Sequence, residues 1–112
     1  MELKIDKVIE TVLYVSDIER ADAFYRQVLK LPAMVANERF RAYNVGDWSV
    51  LLLFIEGDSL RGAQYPTGFI PAHDGVGPAH IGLAVAKEQL PHWERHLVAN
   101  GVEIEGRDRK ST

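Results

Sequence analysis

The spacing of apolar and polar residues near the start of the chain predicts a strand followed by a helix. β-Branched and aromatic residues cluster from Ile9 to Val15, and two classes of side chain alternate there as on a half-buried strand. The Ser16 hydroxyl can cap a free backbone N–H while Glu19 reaches back, which forms a capping box. Apolar residues then recur at three- and four-residue spacing, so we expect a helix that runs to about Lys30 and ends at Leu31-Pro32.

Two strands and a long loop are predicted next. Ala36 to Val45 and Ser49 to Ile55 have the composition of strands and are joined through the turn residues Gly46-Asp47. The stretch from Glu56 to Ala79 is rich in Gly and Pro but retains large apolar residues, which indicates an ordered crossover or lid loop. Strand, helix and antiparallel strands therefore form a first module over about residues 7–56, and a crossover loop follows over about 57–79.

The opening pattern then returns, with His80 at the position of Glu10. His80 to Val85 alternates in the same way, a helix is predicted over Glu88 to Ala99, and Val102 to Glu105 begins another strand. This is an internal repeat. A full second copy needs two further strands after Thr112, so we expect a partial second module over about 80–112 that is incomplete at the C-terminus. Residues 1–112 are expected to form a single domain.

Composition and charge exclude several classes of protein. The 112 residues have a formal net charge of −3 with both signs interspersed, so we expect no nucleic-acid partner. Cysteine is absent, so any metal has to bind His, Asp or Glu. No apolar run approaches the roughly 20 residues that span a bilayer, and the N-terminus offers no signal-peptide core. We therefore expect a cytoplasmic protein with no membrane partner.

Three polar residues are candidates for chemistry. Glu10 shares one face of the predicted first strand with Val12 and Tyr14, although a carboxylate there could also face solvent or form an ion pair. His80 takes the equivalent place in the repeat, where an ordinary hydrogen-bonded histidine is the alternative. His73 lies in the Gly- and Pro-rich loop and could contact substrate, act as acid or base, replace a missing ligand, or be an ordinary loop residue.

Aromatic residues are frequent enough to line a pocket for an aromatic or hydrophobic substrate, with core packing the alternative for each one. The set comprises Tyr14, Phe40, Tyr43, Trp48, Phe54, Tyr65 and Phe69. We assign Tyr14, Phe54 and Tyr65, together with Val12, to the wall of a substrate pocket.

Two motifs carry a resemblance to a known family. The segment ETVLYVSDIERADAFYRQVLKL is similar to the opening strand, helix and FY-x-x-x-L signature of the vicinal oxygen chelate superfamily, which includes glyoxalases, bleomycin-resistance proteins and dioxygenases. PAHIGLAV resembles the second signature, a histidine followed by an alternating strand. The LLLF strand, the PAHDGVGPAH loop and GVEIE extend the likeness over essentially the whole chain. The resemblance implies an α+β fold of paired βαβββ modules.

The resemblance also implies a metal site. In such proteins the sheets of two modules curl around a divalent cation, with ligands from the first strand of each module and from later strands. On that pattern Glu10 and His80 are metal ligands, able to bind Mn, Fe, Ni, Co, Zn or Mg. The glyoxalase I branch takes a further carboxylate from the position of Leu52, where that ligand is missing. Three-ligand members use a Glu in the last strand, which here would lie beyond Thr112.

The resemblance implies two possible functions. A third possibility is that the chain is a truncated or degenerate copy of such a protein and binds no ligand. The first is a divalent-metal-dependent lyase, isomerase or dioxygenase that acts on a small oxygen-bearing substrate, with His73 or a metal-bound water handling the proton. The alternative is a metal-free protein that binds an antibiotic or another small molecule, as bleomycin-resistance proteins do. Unpaired sheet edges and an exposed concave face predict a homodimer.

Overall fold

A computed structural model describes residues 2–107 of the chain. The chain divides into two compact units between Ala79 and His80, where the second module is predicted to begin. Within the described residues, no helix is long and apolar enough to cross a membrane.

The first unit contains the βαβββ module that the sequence predicts. Its strands lie in the order β1-β4-β3-β2, with β1 parallel to β4 and the other pairs antiparallel. A parallel pair needs a long crossover, which the helix and the β2–β3 hairpin supply. The elements are β1 (Glu10–Val15), α1 (Ile18–Ala23), a π-helical segment (Phe24–Val28), β2 (Ala33–Ala36), β3 (Phe40–Val45) and β4 (Ser49–Ile55).

The helix of the first unit ends close to Lys30, as predicted, but differs from the prediction in its N-cap and in its geometry after Ala23. Its N-cap is Asp17 and not Ser16, because the Asp17 carboxylate accepts a hydrogen bond from the backbone N–H of Arg20 at 3.1 Å. The helix widens into π-helical geometry after Ala23, and Lys30 has a positive φ of 62° that stops it.

The predicted strand from Ala36 to Val45 contains β3 and only the last residue of β2, which begins earlier, at Ala33. A turn at Asn37 separates them, because its side-chain oxygen accepts hydrogen bonds from the backbone N–H groups of Arg39 (2.8 Å) and Phe40 (3.0 Å). Asparagine favours such turns because its amide can replace ladder hydrogen bonds of the backbone.

The long loop contains a hairpin that the sequence did not predict, formed by β5 (Ala63–Tyr65) and β6 (Gly68–Ile70). Glycine is needed at position 62, just before β5, since a Cβ there would lie only 2.5 Å from the carbonyl oxygen of Ile70 in β6. The loop is therefore ordered, as expected, but it is not free of regular structure.

The second unit has one helix in its described part. A 3-10 turn (Lys87–Gln89) leads into α2 (Leu90–Ala99), with Pro91 in the first turn as predicted. The strands predicted at His80 to Val85 and Val102 to Glu105 are not formed, and those two predictions are wrong. A strand requires a hydrogen-bonded neighbour, and the described part of this unit provides no such ladder.

One face of the first sheet forms the core under α1. Tyr43, Leu51 and Leu53 are fully buried there, and α1 packs on β3 and β4 and buries Ile18. Each of these leucines contributes about 1.5–3 kcal/mol through the apolar surface it removes from water.

A buried arginine joins this face to the helix. The Arg41 guanidinium donates to the carboxylate of Glu19 at 3.0 Å and to the carbonyl oxygens of Asn37 and Phe40, and its Nε lies 3.6 Å from the Asp22 carboxylate. The Tyr43 hydroxyl donates to Asp22 at 2.5 Å. Asp22 therefore compensates a buried charge and a buried hydroxyl at once.

We expect Asp22→Ala to lower the free energy of unfolding by about 3 kcal/mol, because it leaves the buried Arg41 guanidinium short of a counter-charge. The control is Asp6→Ala, which removes the partner of the exposed Lys4 and should cost less than about 1 kcal/mol. Urea denaturation followed by circular dichroism measures both values. Equal unfolding free energies for the two variants would contradict the role given to Asp22.

Candidate functional site

The sheet face opposite α1 carries a row of three aromatic rings. β4 pairs with both neighbours in a register that sets Phe54 opposite Phe40 on one side and opposite Tyr14 on the other. The Phe40 and Phe54 rings stack with centroids 5.4 Å apart, and the centroid of Tyr14 lies 6.4 Å from that of Phe54. Side chains at alternate strand positions share a face, so this row belongs to the face that Glu10 and Val12 also occupy.

His73 packs against this row from the long loop. Its Nδ1 is 2.7 Å from the Tyr14 hydroxyl, and its ring stands edge-on to Phe54 with centroids 4.6 Å apart. Nε2 has no hydrogen-bond partner among the residues that the structure describes. One ring nitrogen is thus committed to the protein and the other is available.

Backbone contacts hold the loop that carries His73. The backbone N–H of His73 donates to the carbonyl of Ser59 at 2.9 Å, and that of Gly57 donates to the Asp74 carboxylate at 2.8 Å. Gly75 lies so close to the Tyr14 ring that a Cβ there would be 2.6 Å from a ring carbon. A side chain at position 75 would push the loop away from the aromatic row.

The chemistry of the Tyr14–His73 contact favours one proton arrangement. Removal from water raises the pKa of the Tyr14 phenol, and the negative charge of Asp74 adds to the rise, so the phenol keeps its proton at neutral pH. A phenol is a stronger acid than a neutral imidazole N–H, and an imidazole nitrogen is a stronger base than a phenol oxygen. Tyr14 therefore donates to Nδ1, which leaves the proton of a neutral His73 on Nε2.

A cavity of about 510 Å³ lies beside this pair, within the first unit. Its walls come from the β2–β3 turn, the aromatic row and the β5–β6 hairpin. A pair of charged side chains stands at it, with the Arg39 Nε 3.2 Å from the Asp58 carboxylate. The lining residues are Asn37, Glu38, Arg39, Phe40, Phe54, Asp58, Ser59, Gly62, Ala63, Tyr65, Ile70 and His73.

The residues assigned from sequence to the pocket wall take different places. Phe54 and Tyr65 line the cavity with His73. Tyr14 is hydrogen-bonded to His73 and Val12 is on the same sheet face, but neither belongs to the lining. Among the other aromatic residues considered, Tyr43 is buried on the helix side and Trp48 is exposed.

Arg39 and Asp58 were not singled out from the sequence. They lie 19 positions apart and no local pattern relates them. Only the turn at Asn37 and the bend after β4 bring them to one side of the cavity.

Glu10 occupies the other end of the same sheet face. It pairs with Val50, and its Cα lies about 13 Å from that of Tyr14 at 3.3 Å per residue. Its carboxylate has no hydrogen-bond or ion-pair partner within residues 2–107, and Leu52 is opposite Val12 on the same face. Glu10 is therefore free to bind a cation, but its strand partner Val50 and its same-face neighbours Val12 and Leu52 are apolar.

His80 begins the second unit. It is exposed, and its imidazole has no partner in the described part of the chain. An imidazole and a carboxylate are suitable donors for divalent ions such as Mn, Fe, Ni, Co, Zn or Mg. However, no group of three or more His, Asp or Glu side chains positioned to hold a metal occurs among the described residues. The donor types fit a divalent cation, and the described side chains do not complete its coordination.

Comparisons with known proteins agree with the fold. The structure is similar to lactoylglutathione lyase from Agrobacterium tumefaciens, with 30% identity and a TM-score of 0.80 over 95% of this chain and 78% of that one. It is also similar to the integron cassette protein HFX_CASS4 from the Halifax Harbour sewage metagenome, with 18% identity and a TM-score of 0.71 over 95% and 80% of the two chains.

A third similar structure is the fosfomycin resistance protein FosX of Listeria monocytogenes in complex with Mn(II) and sulfate, with 17% identity and a TM-score of 0.64 over 96% and 74% of the two chains. The comparison with curated proteins gives no match. Residues 5–110 match the family model described as "Glyoxalase/Bleomycin resistance protein/Dioxygenase superfamily". The resemblance in the sequence is confirmed, and the chain belongs to the glyoxalase/bleomycin resistance protein/dioxygenase superfamily.

Proposed function

We propose that this protein is a divalent-metal-dependent enzyme that acts on a small oxygen-bearing substrate. One observation carries the proposal. The chain belongs to this superfamily, and the first residue of its β1 is Glu10, whose carboxylate has no hydrogen-bond or ion-pair partner among the described residues. A carboxylate left free at the start of a paired strand is available as a metal ligand. His80, at the equivalent position of the repeat, is equally uncommitted and is proposed as the second ligand.

When bound, the cation would polarise two neighbouring substrate oxygens as a Lewis acid. Lyase, isomerase and dioxygenase reactions are all consistent with that chemistry, and a shared fold does not choose among them. The similar lactoylglutathione lyase from Agrobacterium tumefaciens favours a lyase, although Leu52 replaces the carboxylate that the glyoxalase I branch has at this position. We expect the enzyme to be cytoplasmic.

His73 contacts the opposite end of β1 from the proposed ligand Glu10. His73 is tied to Tyr14, about 13 Å along the strand from Glu10 between Cα atoms. A substrate that contacts both ends of the face has to span most of that length. We therefore propose that His73 binds the far part of such a substrate, and that proton transfer near Glu10 needs another group.

A metal-free small-molecule-binding protein is the second candidate. The observation in its favour is that the cavity of the first unit combines aromatic and apolar side chains with an Arg39–Asp58 ion pair and includes neither Glu10 nor His80. A site of this kind can bind an uncharged molecule without a cation.

Metal content distinguishes the two candidates. We expect protein purified without chelator to contain about one equivalent of a divalent metal by elemental analysis, and Glu10→Ala and His80→Ala each to lose most of it, because each removes one of few protein ligands. The matched controls are Glu88→Ala and His92→Ala, which remove exposed residues and should keep the metal. A parent protein without metal, or equal loss in the controls, would contradict the proposal and favour the metal-free binder.

We also propose that the protein is a homodimer. β1 and β2 are the edge strands of the first sheet, and large apolar side chains are exposed on β2, where Met34 is 59% exposed. A second copy can cover such edges with the same surface of its own. Analytical ultracentrifugation should give twice the mass of one chain, and a monomer at micromolar concentration would contradict this proposal.

A further inference from the structure

We infer that the cavity of the first unit is a binding site for a neutral molecule that combines a flat apolar ring system with one hydrogen-bond-accepting oxygen, and that the His73 Nε2–H recognises this oxygen. The inference does not rest on the metal proposal, because the cavity walls contain neither Glu10 nor His80. It rests on the second candidate function, the metal-free binder, and names the class of its ligand.

The walls of the cavity are suited to a flat ring. Phe40 and Phe54 stack with an interplanar angle of 15°, and Tyr65 and Ile70 approach from the β5–β6 hairpin. A volume of about 510 Å³ lies within the roughly 300–1,000 Å³ of small-molecule sites. Aromatic walls favour offset or edge-on packing with another ring, in addition to the apolar area that is buried.

The polar groups of the cavity call for an acceptor on the ligand. Tyr14 occupies Nδ1 of His73, so the remaining nitrogen carries a proton and has no acceptor among the described residues. A partly buried N–H without an acceptor is costly to leave unbonded. A carbonyl or ether oxygen on the ligand would satisfy it, whereas a plain hydrocarbon would not.

The charges around the cavity disfavour an anionic ligand. The positive charge of Arg39 is matched by Asp58 at 3.2 Å, and Glu38 adds a further negative charge to the lining. An anion would meet a lining with a net negative charge, so a neutral acceptor oxygen is favoured over a carboxylate.

Three naphthalenes of similar shape test the inference on the whole 112-residue chain. 2-Acetylnaphthalene has the ring and a neutral oxygen, 2-ethylnaphthalene has the ring alone, and 2-naphthoate has the ring and an anion. We expect the ketone to bind about fivefold to tenfold more tightly than the hydrocarbon, which corresponds to one net hydrogen bond, and the carboxylate to bind more weakly than the ketone. Fluorescence titration with and without EDTA measures all three, and EDTA should change none of them.

Two variants identify the hydrogen bond. His73→Phe keeps an aromatic ring but loses Nε2–H, so the ketone should bind no better than the hydrocarbon, which keeps its affinity. Tyr14→Phe tests the positioning role of the phenol: it should weaken the ketone by about threefold and leave the hydrocarbon unchanged, since less than one hydrogen bond is lost. A purely structural role of Tyr14 would weaken both probes equally. His92→Phe on the exposed surface of α2 is the matched control and should behave as the parent.

A third variant covers the case in which His73→Phe does not fold. Ala63→Phe places a ring inside the cavity and should abolish binding of all three probes. The inference is overturned if the parent protein binds none of the probes, if it binds ketone and hydrocarbon equally, or if Ala63→Phe binds as the parent does. Loss of binding with EDTA would place the probes at a metal instead, and a metal-free parent that binds the ketone would overturn the metal proposal alone.

Discussion

The register of β4 between its two neighbours is the constraint on which the rest of the first unit depends. Because Leu53 lies opposite Arg41 and Leu13, and Phe54 lies opposite Phe40 and Tyr14, one set of positions faces the helix and the next set faces the loop. A slip of one residue would exchange the two faces. The apolar core and the aromatic row are therefore fixed by the same hydrogen-bond ladder.

The two faces use polar groups for different purposes. On the helix face, Arg41, Asp22 and Tyr43 are tied to one another and hold α1 on the sheet. Burial is the larger cause that raises the pKa of the Tyr43 phenol, and the hydrogen bond to Asp22 adds to it. This phenol therefore stays protonated and has a structural role. On the loop face, the Tyr14 phenol instead directs its proton to His73 and leaves one imidazole nitrogen available to a ligand. The polar residues that stabilise the fold and those available for ligand binding thus lie on opposite faces of one sheet.

The sequence predicted the parts of this structure that arise from local periodicity. β1, β4 and the helix of the second unit follow from alternation, helical spacing and a proline in the first helical turn, and the family signatures identify the fold. The turn at Asn37 was missed because one side-chain hydrogen bond pattern outweighs strand propensity there. The prediction of a strand at His80 to Val85 was wrong for a different reason. Alternation identifies a segment that can form a strand, but it does not show whether a neighbouring strand is present to pair with it.

The site was harder to predict, because its contacts join residues far apart in the chain. Tyr14 and His73 are 59 positions apart, and their pairing depends on the path of a loop rich in glycine. His73 was singled out as a polar residue in an ordered loop, but neither its partner nor its free nitrogen could be inferred without coordinates. Glu10 and His80 emerged from the internal repeat, and their role as ligands stays a prediction.

The proton on His73 is the most direct point at which these ideas can be tested. Protein labelled with ¹⁵N-histidine and studied by long-range ¹H–¹⁵N correlation at a pH where the imidazole is neutral reveals which ring nitrogen is protonated. We expect a single tautomer with the proton on Nε2 and a bare Nδ1, and a mixture of tautomers in Tyr14→Phe. A proton on Nδ1 in the parent protein would show that Tyr14 accepts rather than donates, and that the cavity contains an acceptor where a donor is required.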